Sequence, residues 1–305
     1  MASPLLRNRI LKLAGLAIVC WACKNIGGLD LPMSMHNLDF KQPKAAAPVP
    51  FNVYSEPSKK TNRTRRLELV HVTKTGGTAM EQSAKQTGLR WGSEHYIRKH
   101  DPYYHGKGQV TPPPSVTDRK YDAELWHTPP HWISPNILKD ADTFIVVRNP
   151  YTRYVSEYFC PFYRRKGNKR PDNPREMNQW IQKIIHDNLD KAQNGHMLPI
   201  HYYIWDEQDN HTRKIDHVLK YEDRLPERFH MLMNDYGLDN ITLMTKSGRS
   251  NFSARNTTAL DLSDETIRII NDYARKDFQL LGYPMVSTAA ELRVVLLAQS
   301  SQLGQ

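Results

Sequence analysis

The chain has 305 residues, 10% of them aromatic and 24% charged, and a formal charge of +10 from 42 Lys and Arg against 32 Asp and Glu. These are the proportions of a globular protein long enough for one α/β domain of over ~200 residues with short appendages. The positive excess favours anionic partners, but no zinc-finger spacing or RNA-binding signature accompanies it, which ranks nucleic acid low. The cysteines, Cys20, Cys23 and Cys160, make no internal disulfide framework.

The chain opens with Arg7, Arg9 and Lys12, an apolar run from Leu13 to Cys23, Lys24, and a weaker apolar patch to Leu31. Eleven apolar residues fall short of the about 20 that span hydrocarbon, although with Lys24 snorkelling 13–29 spans marginally. Basic residues ahead of the run favour a cytoplasmic N-terminus. A cleaved signal peptide, with small residues near Ala22, an organellar presequence and a buried helix are the alternatives. Residues 30–66 are rich in Pro, Lys, Ala and Asn without periodicity and read as an extended stem. The predicted organisation is a basic tail over 1–12, a signal anchor or signal peptide over 13–29, the stem over 30–66, a catalytic domain over 67–285 and a C-terminal tail over 286–305. Glycosylation patterns start at Asn62, Asn210, Asn240, Asn251 and Asn256, mild support for secretory passage.

Leu67 to Val72 is predicted as a short buried strand. Thr73-Lys74-Thr75-Gly76-Gly77-Thr78 follows, and Ala79 to Gln86 continues as a helix. Strand, glycine loop and helix start together make an anion cradle. Paired glycines let amides converge on one oxygen cluster, and the helix adds unpaired N–H groups and its positive dipole end. Lys74 adds a full charge, Thr75 and Thr78 add hydroxyls. The plainer alternative is a strand-turn-helix with a solvated lysine. The triphosphatase order G-x-x-x-x-G-K-[ST] is absent, because lysine here precedes the glycines.

Residues 91–117 read as loop, and Tyr121 to Trp126 as a second strand that the Pro129-Pro130 pair turns off the sheet. His127 then sits where a strand end meets a crevice, and a neutral imidazole there accepts a proton near pH 7. A structural histidine stacked on Trp126 or Trp132 is the competing reading, and His131 is a rival for the base. Thr143 to Val147 has the continuous apolar run of a central parallel strand. Arg148 ends it, Pro150 starts a helix, and Arg148 and Ser156 can converge on one phosphate. The competing view pairs Arg148 with a helix carboxylate such as Glu157.

Further on, helices are predicted over 173–188, over 226–236 and from Ser263, with Asp264 and Glu265 in the first turn of the last. Strands are predicted over 215–219 and 241–245, and a short amphipathic helix in the tail. The basic run Arg164 to Arg170 lines a groove for an acidic glycan or is a solvated loop.

Lys74-Thr75-Gly76-Gly77-Thr78 and Arg148-Asn149-Pro150-Tyr151-Thr152-Arg153-Tyr154-Val155-Ser156 occur in this order about 75 residues apart. Together they resemble the two motifs of the P-loop-type sulfotransferases, specifically the Golgi carbohydrate sulfotransferase group; fainter echoes lie at 215–222 and 273–283, so the resemblance covers roughly 67–284. It implies a three-layer α/β P-loop-like fold with a central, mainly parallel sheet flanked by helices. It implies sulfuryl transfer from 3′-phosphoadenosine 5′-phosphosulfate (PAPS) to an acceptor hydroxyl, on a carbohydrate. Lys74, Thr75, Gly76, Gly77 and Thr78 would hold the 5′-phosphate and sulfate end, and Arg148 and Ser156 the 3′-phosphate. His127 would be the base and Lys74 would steady the charge on the leaving oxygens. Some relatives use a glutamate base, which keeps Glu81 as a lesser candidate. No metal is needed and no metal-ligand spacing is visible. The expected location is the Golgi membrane, single-pass type II with a lumenal catalytic domain, or alternatively secretion. A kinase or triphosphatase would need a lysine after the glycines and a Mg²⁺ carboxylate, whereas a binding-only relative would lose Lys74, Arg148 or Ser156.

Overall fold

The computed structural model describes residues 65–93, 109–114, 116, 123–136, 138–160, 170–187, 194–209, 212–243 and 255–302. The N-terminal apolar run, nearly all of the stem, the run 164–169 and the sequons at Asn62, Asn210 and Asn251 lie outside these residues. Among the described residues no helix is long and apolar enough to cross a membrane.

Three parallel strands, β1 (Leu67–Val70), β4 (Asp142–Val147) and β7 (His217–Lys220), form the central sheet with β4 in the middle. Two-residue strands pair antiparallel outside it: β2 (Gln109–Val110) with β3 (Ile133–Ser134), and β5 (Trp205–Asp206) with β6 (Thr212–Arg213). The helices are α1 (Gly77–Gln86), α2 (Pro150–Tyr158), α3 (Pro174–Asp187), the single turn α4 (His201–Ile204), α5 (Leu225–Asp235), α6 (Asp264–Tyr273), α7 (Arg275–Leu281) and α8 (Ala289–Gln302).

Side chains on a strand alternate between faces, and here that alternation builds two cores. Leu67, Leu69, Phe144, Val146 and Leu219 face Met80 and Ala84 of α1 and Phe229, Leu232 and Met233 of α5. Val70, Ile145, Val147 and Val218 face α2, α3, α6 and α7 through Tyr151, Tyr154, Met177, Ile181, Ile267, Ile270 and Phe278. The sheet is therefore the middle of three layers, as the resemblance implies. Each fully buried large apolar side chain contributes roughly 1.5–3 kcal/mol, so these two cores hold the strand ends in register.

Local signals explain the helix starts. Asn149 accepts from the Tyr151 amide at 3.0 Å with Pro150 in the first turn of α2, and Ser263 caps α6 through the Thr266 amide. Over 123–126, the described part of the strand predicted over 121–126, no strand forms. From Ala123 the described chain is irregular and winds into a 3-10 turn at Leu125–His127. His127 N bonds Glu124 O at 2.9 Å, Thr128 N bonds Leu125 O at 3.1 Å, and Glu124 N turns to the Asn194 side chain at 2.7 Å, which leaves no ladder to a neighbouring strand. Residues 241–243 likewise make no strand; Ile241 is buried in the core and its amide bonds Leu238 O. The tail forms α8, with Val294 and Leu297 exposed.

Candidate active site

The carboxyl ends of the three strands carry the site. Beyond β1 the chain leaves the sheet at His71 and turns at Lys74, φ 63°, and Gly76, φ 105°. Glycine takes the second conformation at no steric cost, whereas a lysine in the first costs of order 1–3 kcal/mol and persists only when its surroundings over-determine it. They do so here. The Thr75 hydroxyl donates to Val72 O at 3.0 Å, Arg148 Nη1 to Lys74 O at 3.1 Å, and Arg153 Nε to Thr73 O at 3.2 Å. The amides of Gly77 and Thr78 occupy the first positions of α1, before any intrahelical bond forms, and donate to no described residue. Free amides, a helix N-terminus and a lysine are the parts from which an oxyanion receptor is built.

Arg148 stands at the end of the central strand and reaches the loop from the neighbouring one. Its Nε donates to Thr152 Oγ1 at 3.1 Å, and its guanidinium lies 4.5 Å from the centroid of Tyr221. The same ring sits 3.5 Å from where a Cβ on Gly76 would stand, so Tyr221 ties Arg148 to the loop. Burial lowers the Arg148 pKa, opposed by Tyr221 and Glu222. Glu222 also accepts from the Asn149 amide at 2.9 Å and the Tyr283 hydroxyl at 3.0 Å, fixing the start of α2. Ser156 lies two turns into α2, partly buried, its hydroxyl without a hydrogen bond to a described residue. Arg148 makes no ion pair with Glu157, which turns instead to His196.

Three imidazoles line one flank of the loop. His71 and His127 have centroids 5.5 Å apart, and His127 and His196 5.1 Å. His71 Nδ1 meets Glu81 Oε1 at 2.7 Å, and Glu81 also accepts from the Ser93 amide at 2.9 Å and the Ser93 hydroxyl at 3.2 Å. His196 Nδ1 meets Glu157 Oε1 at 2.7 Å and faces Cys160 Sγ at 3.9 Å. Burial opposes the charge on His196, but the Cys160 and Glu157 contacts prevail and lift its pKa to about 9. His127 stacks on Trp126 with centroids 3.6 Å apart, and its carbonyl accepts from the Tyr203 hydroxyl. Burial first, then His71 and His196, lowers the His127 pKa to about 3, so the ring is neutral at physiological pH.

His131 lies at the other end of the sheet. It lines a cavity of about 250 Å³ with Arg65, Lys139, Thr143, Lys214 and Asp216, near the strand starts. Burial lowers its pKa to about 4, with Asp206 opposing. The structure thus brings Lys74, Gly76, Gly77, Arg148 and His127 around one loop and sets His131 apart. The Thr75 hydroxyl is turned inward, and the Thr78 side chain is exposed.

Sequence reasoning missed the setting of His71 and the roles of Arg153, Tyr221 and His196. Arg153 is 1% exposed and bonds Thr73 O and Oγ1, His196 O and Leu198 O. It ties the glycine loop to the turn at 194–198. One signal was available: Gly77 and Glu81 stand four apart on α1, hence on one face, and His71 covers both. Folding also gathers Glu157, Cys160 and His196, with ligand-type atoms within 4.8 Å of one another, a grouping with no signature in sequence spacing.

A parallel α/β sheet whose first strand runs through a glycine loop into a helix, with an arginine from the adjacent strand end, defines an α/β protein of P-loop-like architecture. The chain belongs to the sulfotransferase family, whose model matches residues 61–284. No curated protein and no solved structure matches it significantly.

Proposed function

We propose that the protein moves a sulfuryl group from PAPS to a carbohydrate hydroxyl. The observation that supports this most is the bond from Arg148 to the Lys74 carbonyl, 3.1 Å long, which joins the two stretches of the family resemblance at the carboxyl ends of the strands. A donor with phosphates at both ends of its ribose needs two cationic clusters held at a fixed spacing. Lys74, Thr75 and the Gly76, Gly77 and Thr78 backbone take the 5′-phosphate and sulfate end; Arg148 and Ser156 take the 3′-phosphate.

In the transfer the acceptor oxygen forms a bond to sulfur while the bond from sulfur to the bridging 5′-phosphate oxygen breaks. Lys74 and the free amides neutralise the charge on the departing 3′-phosphoadenosine 5′-phosphate (PAP). An imidazole beside the loop takes the acceptor proton; the sequence suggests His127, and His71 lies 5.5 Å from it. No step is assigned to a metal. The proposed setting is the Golgi membrane, with 13–29 as a signal anchor and the catalytic domain lumenal; exposed sequons at Asn240 and Asn256 support passage through that compartment.

Labelled PAPS incubated with a panel of glycans, peptides and small alcohols tests the reading. Label on a glycan is the expected result. Label only on peptides or small alcohols would replace the acceptor class, and ATP turnover without any PAPS turnover would overturn the reaction.

A further inference from the structure

We propose that His71, oriented by Glu81, is the group that takes the proton from the acceptor hydroxyl; this rests on the sulfuryl-transfer reading above. Three observations carry it. The Glu81 carboxylate, 2.7 Å from His71 Nδ1, fixes that nitrogen as the protonated one, leaving Nε2 with its lone pair. Nε2 makes no hydrogen bond to a described residue and is not among the sealed, unpartnered polar atoms. The ring lies flat on the loop, since a Cβ added to Gly77 would stand 3.0 Å from three of its atoms. The face of an imidazole that carries a basic nitrogen thus packs on Gly77, the first residue of the helix behind the loop.

The neighbours fit this role less well. Glu81 meets His71 through Oε1 and accepts from the Ser93 amide and hydroxyl on Oε1 and Oε2, so both of its oxygens are engaged. His127 is 2% exposed, its Nδ1 is enclosed without a partner, and its hydrogen-bonding neighbour is Asn194, with no carboxylate behind it. His196 spends Nδ1 on Glu157 and Cys160. In the step, the acceptor O–H bond breaks and its proton forms an N–H bond at His71 Nε2. The freed electron pair forms the O–S bond, and the pair of the broken S–O bond leaves with PAP. Glu81 then stabilises the imidazolium, which makes it a positioning residue.

The test uses the full chain and follows PAP release from PAPS with desulfated heparin supplied, water being the default acceptor. His71→Ala is expected to lower kcat at least 100-fold, to bind PAP within about threefold of wild type, and to regain turnover with added imidazole. Unchanged turnover overturns the proposal, and so does rescue by imidazole in His127→Ala but not in His71→Ala. Should His71→Ala fail to fold, Glu81→Gln decides: kcat at least tenfold lower with KM for PAPS unchanged and partial recovery in Glu81→Asp supports it, and wild-type kcat overturns it. Wild-type protein that binds PAP yet never releases it from PAPS would overturn the parent reading instead.

Discussion

His71 and His196 meet carboxylates at the same 2.7 Å on either side of His127, and they differ in what lies behind the contact. The His71 ring rests on Gly77 and its second nitrogen has no hydrogen bond to a described residue, so this pair faces the loop. The first nitrogen of His196 is shared between Glu157 and Cys160, and its carbonyl accepts from Arg153, so this pair fastens the 194–198 turn to α2. One imidazole–carboxylate contact serves chemistry when the opposite ring edge is open and architecture when the residue is tied in at both ends. Variants on each side should separate the two.

The largest effect is expected on the fastening side. Arg153→Ala strands the carbonyls of Thr73 and Leu198, leaves that of His196 with only the long Thr73 hydroxyl contact, and should lower thermal stability by about 4 kcal/mol while loosening donor binding. A melting curve like the wild type's would show that the loop is held by something else. Glu157→Gln removes one charge-assisted contact while Cys160 stays, and should cost about 2 kcal/mol near pH 6, with a characteristic pH dependence. The folded His196 pKa of about 9 lies above the usual 6.5, so the pair's contribution is complete below pH 6.5 and fades as pH rises through 9. The stability gap between wild type and Glu157→Gln should close over that window in denaturant titrations; a constant gap would mean that His196 carries no proton there.

On the loop side, Gly77→Ala pushes a methyl group against His71. The ring must yield by a few tenths of an ångström, and kcat should fall by about tenfold with little change in melting temperature. Equal losses in both would make the contact a packing feature only. The smallest effect belongs to His131→Ala at the far end of the sheet. PAPS turnover should stay within about twofold, since both ring nitrogens already lack hydrogen bonds. A large loss would move the site toward that cavity.

The same division decides what the sequence made legible. The Leu67 and Thr143 runs announce strands because burial on both faces demands continuous apolar side chains, and Asn149-Pro150 and Ser263 announce helix starts because capping is local. The glycine loop was legible for the same reason: its conformation follows from Gly76. Residues 123–127 were misread because Pro129 and Pro130 mark where a segment ends, not whether it pairs, and here local bonds and the Asn194 side chain take up the amides. The partners of His71 and His196 were hidden because Glu81 and Glu157 reach them only after α1 and α2 dock, over separations of 10 and 39 residues. Arg153 was visible within its motif, but two of its four bonds reach a turn more than 40 residues away and the other two reach Thr73, 80 residues away.

Calorimetry of PAP against the same nucleotide lacking the 3′-phosphate, in wild type and in Arg148→Ala, bears most directly on the two-ended grip. The wild type should prefer PAP by about 10- to 100-fold, the worth of one charge-assisted contact, and Arg148→Ala should bind both nucleotides alike. Equal affinity in the wild type, or an undiminished preference after Arg148 is removed, would contradict it.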